Sequence, residues 1–131
     1  MTRITVPLLS VMLFAVVACT EDHGDPPVIA NLTASPLTVP VGAATTISGT
    51  LTFTDRDGDL DLIAVTVVTP DDSRVDLAPA PIQIPGGLTE GQLTWAVILQ
   101  PPAAGRYDLE LSVIDEADND SNTLTTSLTA Q

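Results

Sequence analysis

Residues 105–115 have the sequence GRYDLELSVID, in which Tyr107, Leu109, Leu111 and Val113 alternate with polar or charged residues. This period of two places the apolar side chains on one face of a β-strand and the polar side chains on the other. A strand with one apolar and one polar face is typical of an antiparallel sheet that is packed on one side only. The stretch therefore predicts one strand of a layered, all-β domain.

The same alternation recurs in three other parts of the chain. Apolar residues share one parity in 47–53, in 93–99 and, more weakly, in 124–130, and segments that contain Pro or Gly separate these stretches. Seven or eight short strands in about 100 residues predict an immunoglobulin-like antiparallel β-sandwich. We predict its strands near residues 28–34, 44–54, 61–69, 73–77, 81–84, 92–100, 106–114 and 122–130.

The composition excludes one large class of partners. The chain of 131 residues has 17 Asp and Glu against four Arg and no Lys, so its formal net charge is −13. Binding to nucleic acid depends on clustered Lys and Arg that neutralise phosphates, and this chain has no such cluster. An anionic lipid surface also repels such a chain unless a covalent anchor holds it there. We therefore expect no nucleic-acid partner.

The first residues have the organisation of an export signal. Arg3 precedes an almost wholly apolar run, 4–17, which is shorter than the about 20 residues of a membrane span. The sequence VVAC at 16–19 resembles the bacterial lipoprotein signal. The resemblance implies diacylglycerol on the Cys19 sulfur and cleavage of the chain before Cys19. General secretion after a small-residue cleavage site and an uncleaved anchor are the alternatives.

This signal divides the chain into three parts. They are a lipoprotein signal peptide (1–18), a lipidated Cys with an acidic tether (19–27) and the β-sandwich domain (28–131). The anchor predicts an extracytoplasmic protein that is attached to the membrane through its lipid. By resemblance to enterobacterial sorting, Thr20 after Cys19 favours the outer membrane or the cell surface. Because Cys19 is the single Cys, the fold has to stand without an internal disulfide.

Seven acidic residues fall in two turns that an immunoglobulin-like strand order brings to one end of the sandwich. They are Asp55, Asp57, Asp59 and Asp61 in the first turn and Asp115, Asp118 and Asp120 in the second. Ca²⁺ would relieve the repulsion between these carboxylates, because it takes about six to eight oxygen ligands. The sequence therefore predicts a calcium site formed by these residues. The alternative is that Asp, Asn and Gly form solvated turns without any ion.

Two blocks of the chain resemble a known class of domain. Phe53 to Asp59 (FTDRDGD) resembles the FxDPDGD turn of bacterial Ig-like and polycystic-kidney-disease (PKD) domains, and 105–115 resembles their G-x-Y-x-V-x-L-x-V-x-D strand. The WDFGDG signature of the PKD subgroup is absent, and Trp95 lies on a different strand. The resemblance implies an extracellular module for spacing, adhesion or ligand contact. Tyr107 is then either the tyrosine corner of such a fold or an ordinary core residue.

Few residues here have the chemistry of an enzyme site. His23 is the single His and lies in the tether, Cys19 is the expected lipid site, and there is no Lys for a Schiff base. Phe53, Trp95 and Tyr107 share the inward parity, which favours the core over a glycan-binding platform. We expect a non-enzymatic cell-envelope lipoprotein that binds or adheres to an envelope or extracellular protein or glycan, with calcium ordering its acidic end. A structural accessory domain of an envelope assembly without metal is the alternative, and a carboxylate-dependent hydrolase is a remote one.

Overall fold

Residues 24–131 are described by the computed structural model, and they form nine β-strands. The strands are β1 (Val28–Ala30), β2 (Thr38–Val39), β3 (Thr45–Thr54), β4 (Leu60–Val68), β5 (Arg74–Asp76), β6 (Ala80–Pro81), β7 (Glu90–Leu99), β8 (Gly105–Asp115) and β9 (Leu124–Ala130). Within this range, no helix has the length and apolar character needed to cross a membrane. The predicted signal peptide (1–18) and lipidation site (Cys19) lie outside the described residues.

The strands form two sheets, which we call the small sheet and the large sheet. The small sheet has the order β1-β3-β7, and the large sheet has the order β2-β9-β8-β4-β5, with β6 also paired to β4. The strand pairs are antiparallel except for the short parallel pair β2–β9. The predicted all-β, immunoglobulin-like sandwich is therefore confirmed.

The core lies between the two sheets and consists of the side chains that alternation predicts to point inward. Each of the following residues is at most 5% exposed: Ile47, Leu51, Phe53, Leu93, Trp95, Tyr107, Leu109, Leu111 and Val113. Full burial of one such apolar side chain contributes about 1.5–3 kcal/mol. The three aromatic side chains of residues 24–131 belong to this core, as expected. Because the two inner faces cover each other, residues 24–131 contain a complete core and can fold as a unit.

The chain passes from the small sheet to the large sheet in a region where the sequence predicted one strand, 28–34. β1 instead ends at Ala30, and Asn31 follows with a left-handed φ of 56°. The next residues lie so close to β3 that a Cβ at Gly49 would be 1.8 Å from the carbonyl oxygen of Thr33. Glycine is therefore required at this position. β2, which the sequence analysis missed, is only two residues long and has no period that alternation could detect.

Two side chains fix the two ends of the sandwich. The Tyr107 hydroxyl donates to the carbonyl of Ala103 (2.8 Å), which is the contact of a tyrosine corner. At the other end, the amide of Asn122 accepts from the N–H of Ile29 (2.8 Å) and donates to its carbonyl (2.9 Å). Asn122 thus joins the turn after β8 to β1 of the other sheet, next to the acidic turns.

Candidate metal centre

Two turns meet at one end of the sandwich, and each of them starts where a long strand ends. The first turn, 55–59, follows β3, and the second turn, 115–119, starts at the last residue of β8. The N–H of Glu116 donates to the carbonyl of Asp59 (2.9 Å), which ties the second turn to the first. The topology therefore brings together the two acidic stretches that the sequence placed at one end.

The buried carboxylate of Asp55 organises the first turn. Asp55 is 1% exposed, and its two oxygens accept the N–H groups of Asp57 (3.3 Å) and Asp59 (2.9 Å). Gly58 adopts a φ of +63°, and a Cβ there would lie 2.9 Å from the carbonyl oxygen of Gly87. The bend thus needs both the carboxylate at its start and the glycine near its end.

Asp115 has the same role in the second turn. It is 1% exposed, and its Oδ1 accepts the N–H groups of Ala117 (2.9 Å) and Asn119 (2.8 Å). Its Oδ2 accepts the side-chain amide of Asn119 (3.0 Å). Asp118 has a left-handed φ of 65°, which a short polar side chain tolerates better than most residues. A buried, hydrogen-bonded carboxylate therefore lies at the start of each turn.

Four carboxylates converge between the two turns. Each of Asp55, Asp57, Asp59 and Asp115 offers an oxygen, and these four oxygens all lie within 4.8 Å of one another. Asp55 and Asp115 are buried, Asp59 is half-buried and Asp57 is exposed, so the cluster opens to solvent on one side. A set made only of carboxylate oxygens suits a hard divalent cation such as Ca²⁺ and not the thiolate- and imidazole-binding metals.

Asp59 is the member of the cluster whose carboxylate lacks compensation. Its Oδ1 is buried and accepts no hydrogen bond from the described part of the chain. Its pKa is raised from the ordinary value of 3.8 to about 6, first by burial, then by a hydrogen bond with the Asp55 carboxyl and by the charges of Asp115, Asp55 and Asp57. A buried carboxylate among other carboxylates needs either a proton or a cation. The residues present therefore fit a cation.

The end of the predicted tether also contacts this site. The N–H of Asp25 donates to Oδ2 of Asp57 (2.8 Å), and the Asp25 carboxylate pairs with Arg56 (2.7 Å). Pro27 is fully buried. Residues 24–27, which the sequence assigned to the tether, thus pack against the domain. The sequence analysis did not predict the contact of Asp25 with the acidic turn, because nothing in the local pattern distinguishes Asp25 from the other polar residues of 20–27.

Three of the predicted ligands lie outside the group of four. Asp61 is exposed on β4, one residue after the strand begins. Asp118 is exposed in the second turn, and Asp120 is exposed directly after it. The N–H of Asp118 donates to the carbonyl of Asp115 (3.0 Å), so Asp118 contributes a backbone contact to the turn. The structure therefore brings together Asp55, Asp57, Asp59 and Asp115 and leaves the other three outside this cluster.

Comparison with known proteins places the fold but no family. No sequence profile of a known protein family matches the chain. No curated protein sequence matches it either.

Solved structures share the sandwich at low sequence identity. One is a PKD domain of an M14-like peptidase from a Thermoplasmatales archaeon, with 21% identity, a TM-score of 0.49 and coverage of 82% of this chain and 97% of that one. Another is the sporulation control protein Spo0M of Bacillus subtilis, with 11% identity, a TM-score of 0.52 and coverage of 82% and 50%. A third is a Niemann-Pick type C2 protein from the Japanese carpenter ant, with 9% identity, a TM-score of 0.52 and coverage of 82% and 95%. Since proteins with such different names have this sandwich, the similarity shows the fold alone.

Proposed function

We propose that this protein is a non-enzymatic binding module of the cell envelope, in which Ca²⁺ orders the two acidic turns at one end of the sandwich. The observation that carries the proposal is the set of four convergent carboxylates, in which Oδ1 of Asp59 is buried without a hydrogen-bond donor. Repulsion within this set opposes closure of the turns in the absence of a cation. A bound Ca²⁺ attracts all four carboxylates, so the electrostatic interaction within the set then favours closure of the turns.

Each carboxylate has a definable part in holding the ion. Asp55 and Asp115 are held by backbone N–H groups, and each still offers an oxygen to the cluster. Asp59 supplies an oxygen of its half-buried carboxylate, and the exposed Asp57 supplies an oxygen from the solvent side. Four side chains do not fill the coordination shell of Ca²⁺, so water or second carboxylate oxygens complete it. The rigid turns then present a defined surface to a protein or glycan partner.

The placement of this module follows from the predicted anchor. Diacylglycerol on Cys19 would hold the domain outside the cytoplasm, at the outer membrane or the cell surface, through a short tether. The N-terminal segment reaches the domain at Asp25, next to the cation site, so the acidic end faces the tether attachment.

A structural accessory domain without metal is the second candidate. The observation that favours it is that Asp55 and Asp115 already accept hydrogen bonds within their own turns. These two residues therefore stabilise their turns even without an ion. The two candidates differ in their response to Ca²⁺, which makes them separable.

A calcium titration of the chain from Thr20 onward tests the proposal. The melting temperature is followed in metal-free buffer as Ca²⁺ is added, and one site at 100 times Kd adds about 2.7 kcal/mol to the free energy of unfolding. Asp57→Asn, an exposed position in the cluster, should shift the titration to higher Ca²⁺. Asp120→Asn is the matched control, since it removes one exposed charge from the same end but lies outside the cluster.

Two results would contradict the calcium site. A melting temperature that stays constant through millimolar Ca²⁺ would leave the metal-free accessory domain as the better proposal. Equal effects of Asp57→Asn and Asp120→Asn would indicate general screening of negative charge, which Mg²⁺ should then reproduce. A saturable shift that depends on Asp57 and is weaker with Mg²⁺ supports the site.

A further inference from the structure

In the described part of the chain, the charged residues lie in the large sheet, in the turns and at Asp25 before β1, with Glu90 on β7 as the exception. Residues 26–54 contain no Asp, Glu, Lys or Arg, and residues 77–105 contain only Glu90. These two stretches include all three strands of the small sheet. The small sheet is therefore uncharged except at one end of β7, in a domain whose described residues have 15 carboxylates and three Arg.

The outer edge of β7 differs from the other edges of the sandwich. The other strands at the ends of the two sheets are short: β1 has three residues, β2 has two and β5 has three. β7 has ten residues, with no Pro and no charge after Glu90, and Ile98 on it is 71% exposed. Natural sheets protect their edges by short strands, charges, Pro or bulges. β7 has none of these except Glu90 at its start.

The neighbouring segment of the chain does not occupy this edge. The N–H groups of Leu77 and Ile82 donate to the carbonyls of Val65 and Asp61, which belong to the large sheet. No backbone hydrogen bond joins this segment to β7 in the described part of the chain. A cleft of about 290 Å³ lies between residues 82–84 and the first half of β7. The backbone groups on the outer edge of β7 are therefore not paired with this segment, and pairing with a second strand would break no existing ladder.

We propose that β7 pairs with β7 of a second copy of this chain, antiparallel and about a two-fold axis at Trp95. The two small sheets then become one six-stranded sheet, and the contact is isologous. This register uses all nine uncharged residues, 91–99. It places Thr94 opposite Ala96 of the second copy and Glu90 opposite Gln100, so no carboxylate faces another.

Charge identifies the occupant as a second copy. Two strongly acidic domains that meet through their large sheets or acidic turns would place carboxylates against carboxylates. The outer edge of β7 is a long, uncharged edge through which two copies can meet without this repulsion. An edge contact of nine residues is smaller than the about 1,200–2,000 Å² of stable interfaces, so the dimer should form at high local concentration. Attachment of both copies to one membrane would provide that concentration.

Disulfide trapping tests the pairing and its register together. The chain from Thr20 onward contains the complete core and no Cys, so introduced thiols are the only ones present. Directly opposite residues of an antiparallel pair have Cα atoms about 4.5–5.5 Å apart, within the about 4.4–6.8 Å of a disulfide. At high protein concentration, which replaces the local concentration on a membrane, a Thr94→Cys copy mixed with an Ala96→Cys copy should give a disulfide-linked heterodimer in mildly oxidising buffer. Neither copy alone should do so efficiently, because identical positions are offset along the strand.

Ser48→Cys provides the matched control. Ser48 is the neighbour of Ala96 in the small sheet and is exposed on the same outer face, but it lies one strand away from the edge. The 94–96 mixture should give about tenfold more linked dimer than Ser48→Cys mixed with Thr94→Cys, since only the former pair is within reach. Equal trapping of both mixtures would show a contact between outer faces and would overturn the proposal. Trapping no greater than for each variant alone, with and without Ca²⁺, would overturn it as well.

Discussion

Replacing Asp59 by Asn should stabilise the metal-free protein and weaken its binding of Ca²⁺. Oδ1 of Asp59 is buried without a hydrogen-bond donor, and the carboxylate lies among three others. Asn has nearly the same shape, has no charge, and can donate a hydrogen bond to the Asp55 carboxylate. One substitution thus removes the cost of an uncompensated carboxylate in the metal-free protein and replaces a charged ligand of Ca²⁺ by a neutral amide oxygen.

The size of the expected stabilisation of the metal-free protein follows from the pKa of Asp59. A rise from 3.8 to about 6 corresponds to at most about 3 kcal/mol of cost for the ionised form in the folded state at pH 7, and screening by solvent on the open side of the cluster lowers this cost. Asparagine leaves one buried polar group to satisfy, so a net gain of about 1–2 kcal/mol is expected in the free energy of unfolding. Each kcal/mol raises the melting temperature of a domain of this size by about 4–8 °C. The increase should therefore be easy to measure.

The assay is thermal and urea unfolding of wild type and Asp59→Asn, in chelator and in saturating Ca²⁺. The variant should melt above wild type in chelator and gain less than wild type from Ca²⁺. Asp61→Asn is the matched control, since Asp61 is the next acid along the chain and is exposed on β4. The reasoning is refuted if Asp59→Asn lowers the stability of the metal-free protein and leaves the calcium shift unchanged. Such a result would mean that the carboxylate is compensated by contacts within its own turn.

Two further predictions concern pH and the far end of the sandwich. The metal-free protein should lose stability as pH rises from about 4 to about 6. Asp59 has a pKa of about 6 in the folded state and about 4 in the unfolded state. The folded state therefore binds more protons in this window, and its stability falls as these protons are lost. Urea midpoints across this range should show the loss in chelator and not in saturating Ca²⁺, and a midpoint that rises through the window in chelator would contradict it. Tyr107→Phe should cost about 1 kcal/mol by removing the hydrogen bond from the hydroxyl to the Ala103 carbonyl. Its calcium shift should equal that of wild type, since Tyr107 lies at the end of β8 away from the acidic turns, and a reduced shift would argue against that separation.

The sequence predicts the strands well because the period of two is a direct consequence of one buried face. Tyr107, Leu109, Leu111 and Val113 are each at most 1% exposed, as their alternation indicates. β2 escapes this reasoning because two residues cannot display a period. The crossing before it depends on the contact between Gly49 and the Thr33 backbone, which is a distance in space and not a pattern along the chain.

The acidic end could be predicted as a region but not as a set of ligands. Chain order alone brings the turns after β3 and β8 together. The direction of each carboxylate depends on the dihedral angles inside the turns, such as the left-handed conformation of Asp118. Asp55 directly follows β3 and Asp115 is the last residue of β8, and both point inward because they continue the parity of Phe53 and Val113. That signal was present in the sequence, since the alternation that defines the core extends one step further to each of these acids.

The two readings of the acidic residues, turn formation and calcium binding, are compatible for two of the four carboxylates. An ionised Asp has about four lone-pair sites, and the N–H groups of its turn occupy only some of them. Asp55 accepts two backbone N–H groups and can therefore organise its turn and hold a cation at once. Asp59 differs, because the buried Oδ1 accepts nothing within the described residues and the carboxyl has a raised pKa. Turn formation accounts for Asp55 and Asp115, but it leaves the Asp59 carboxylate without compensation. A bound cation accounts for all three residues. Asp59 is therefore the residue at which turn formation and calcium binding can be distinguished.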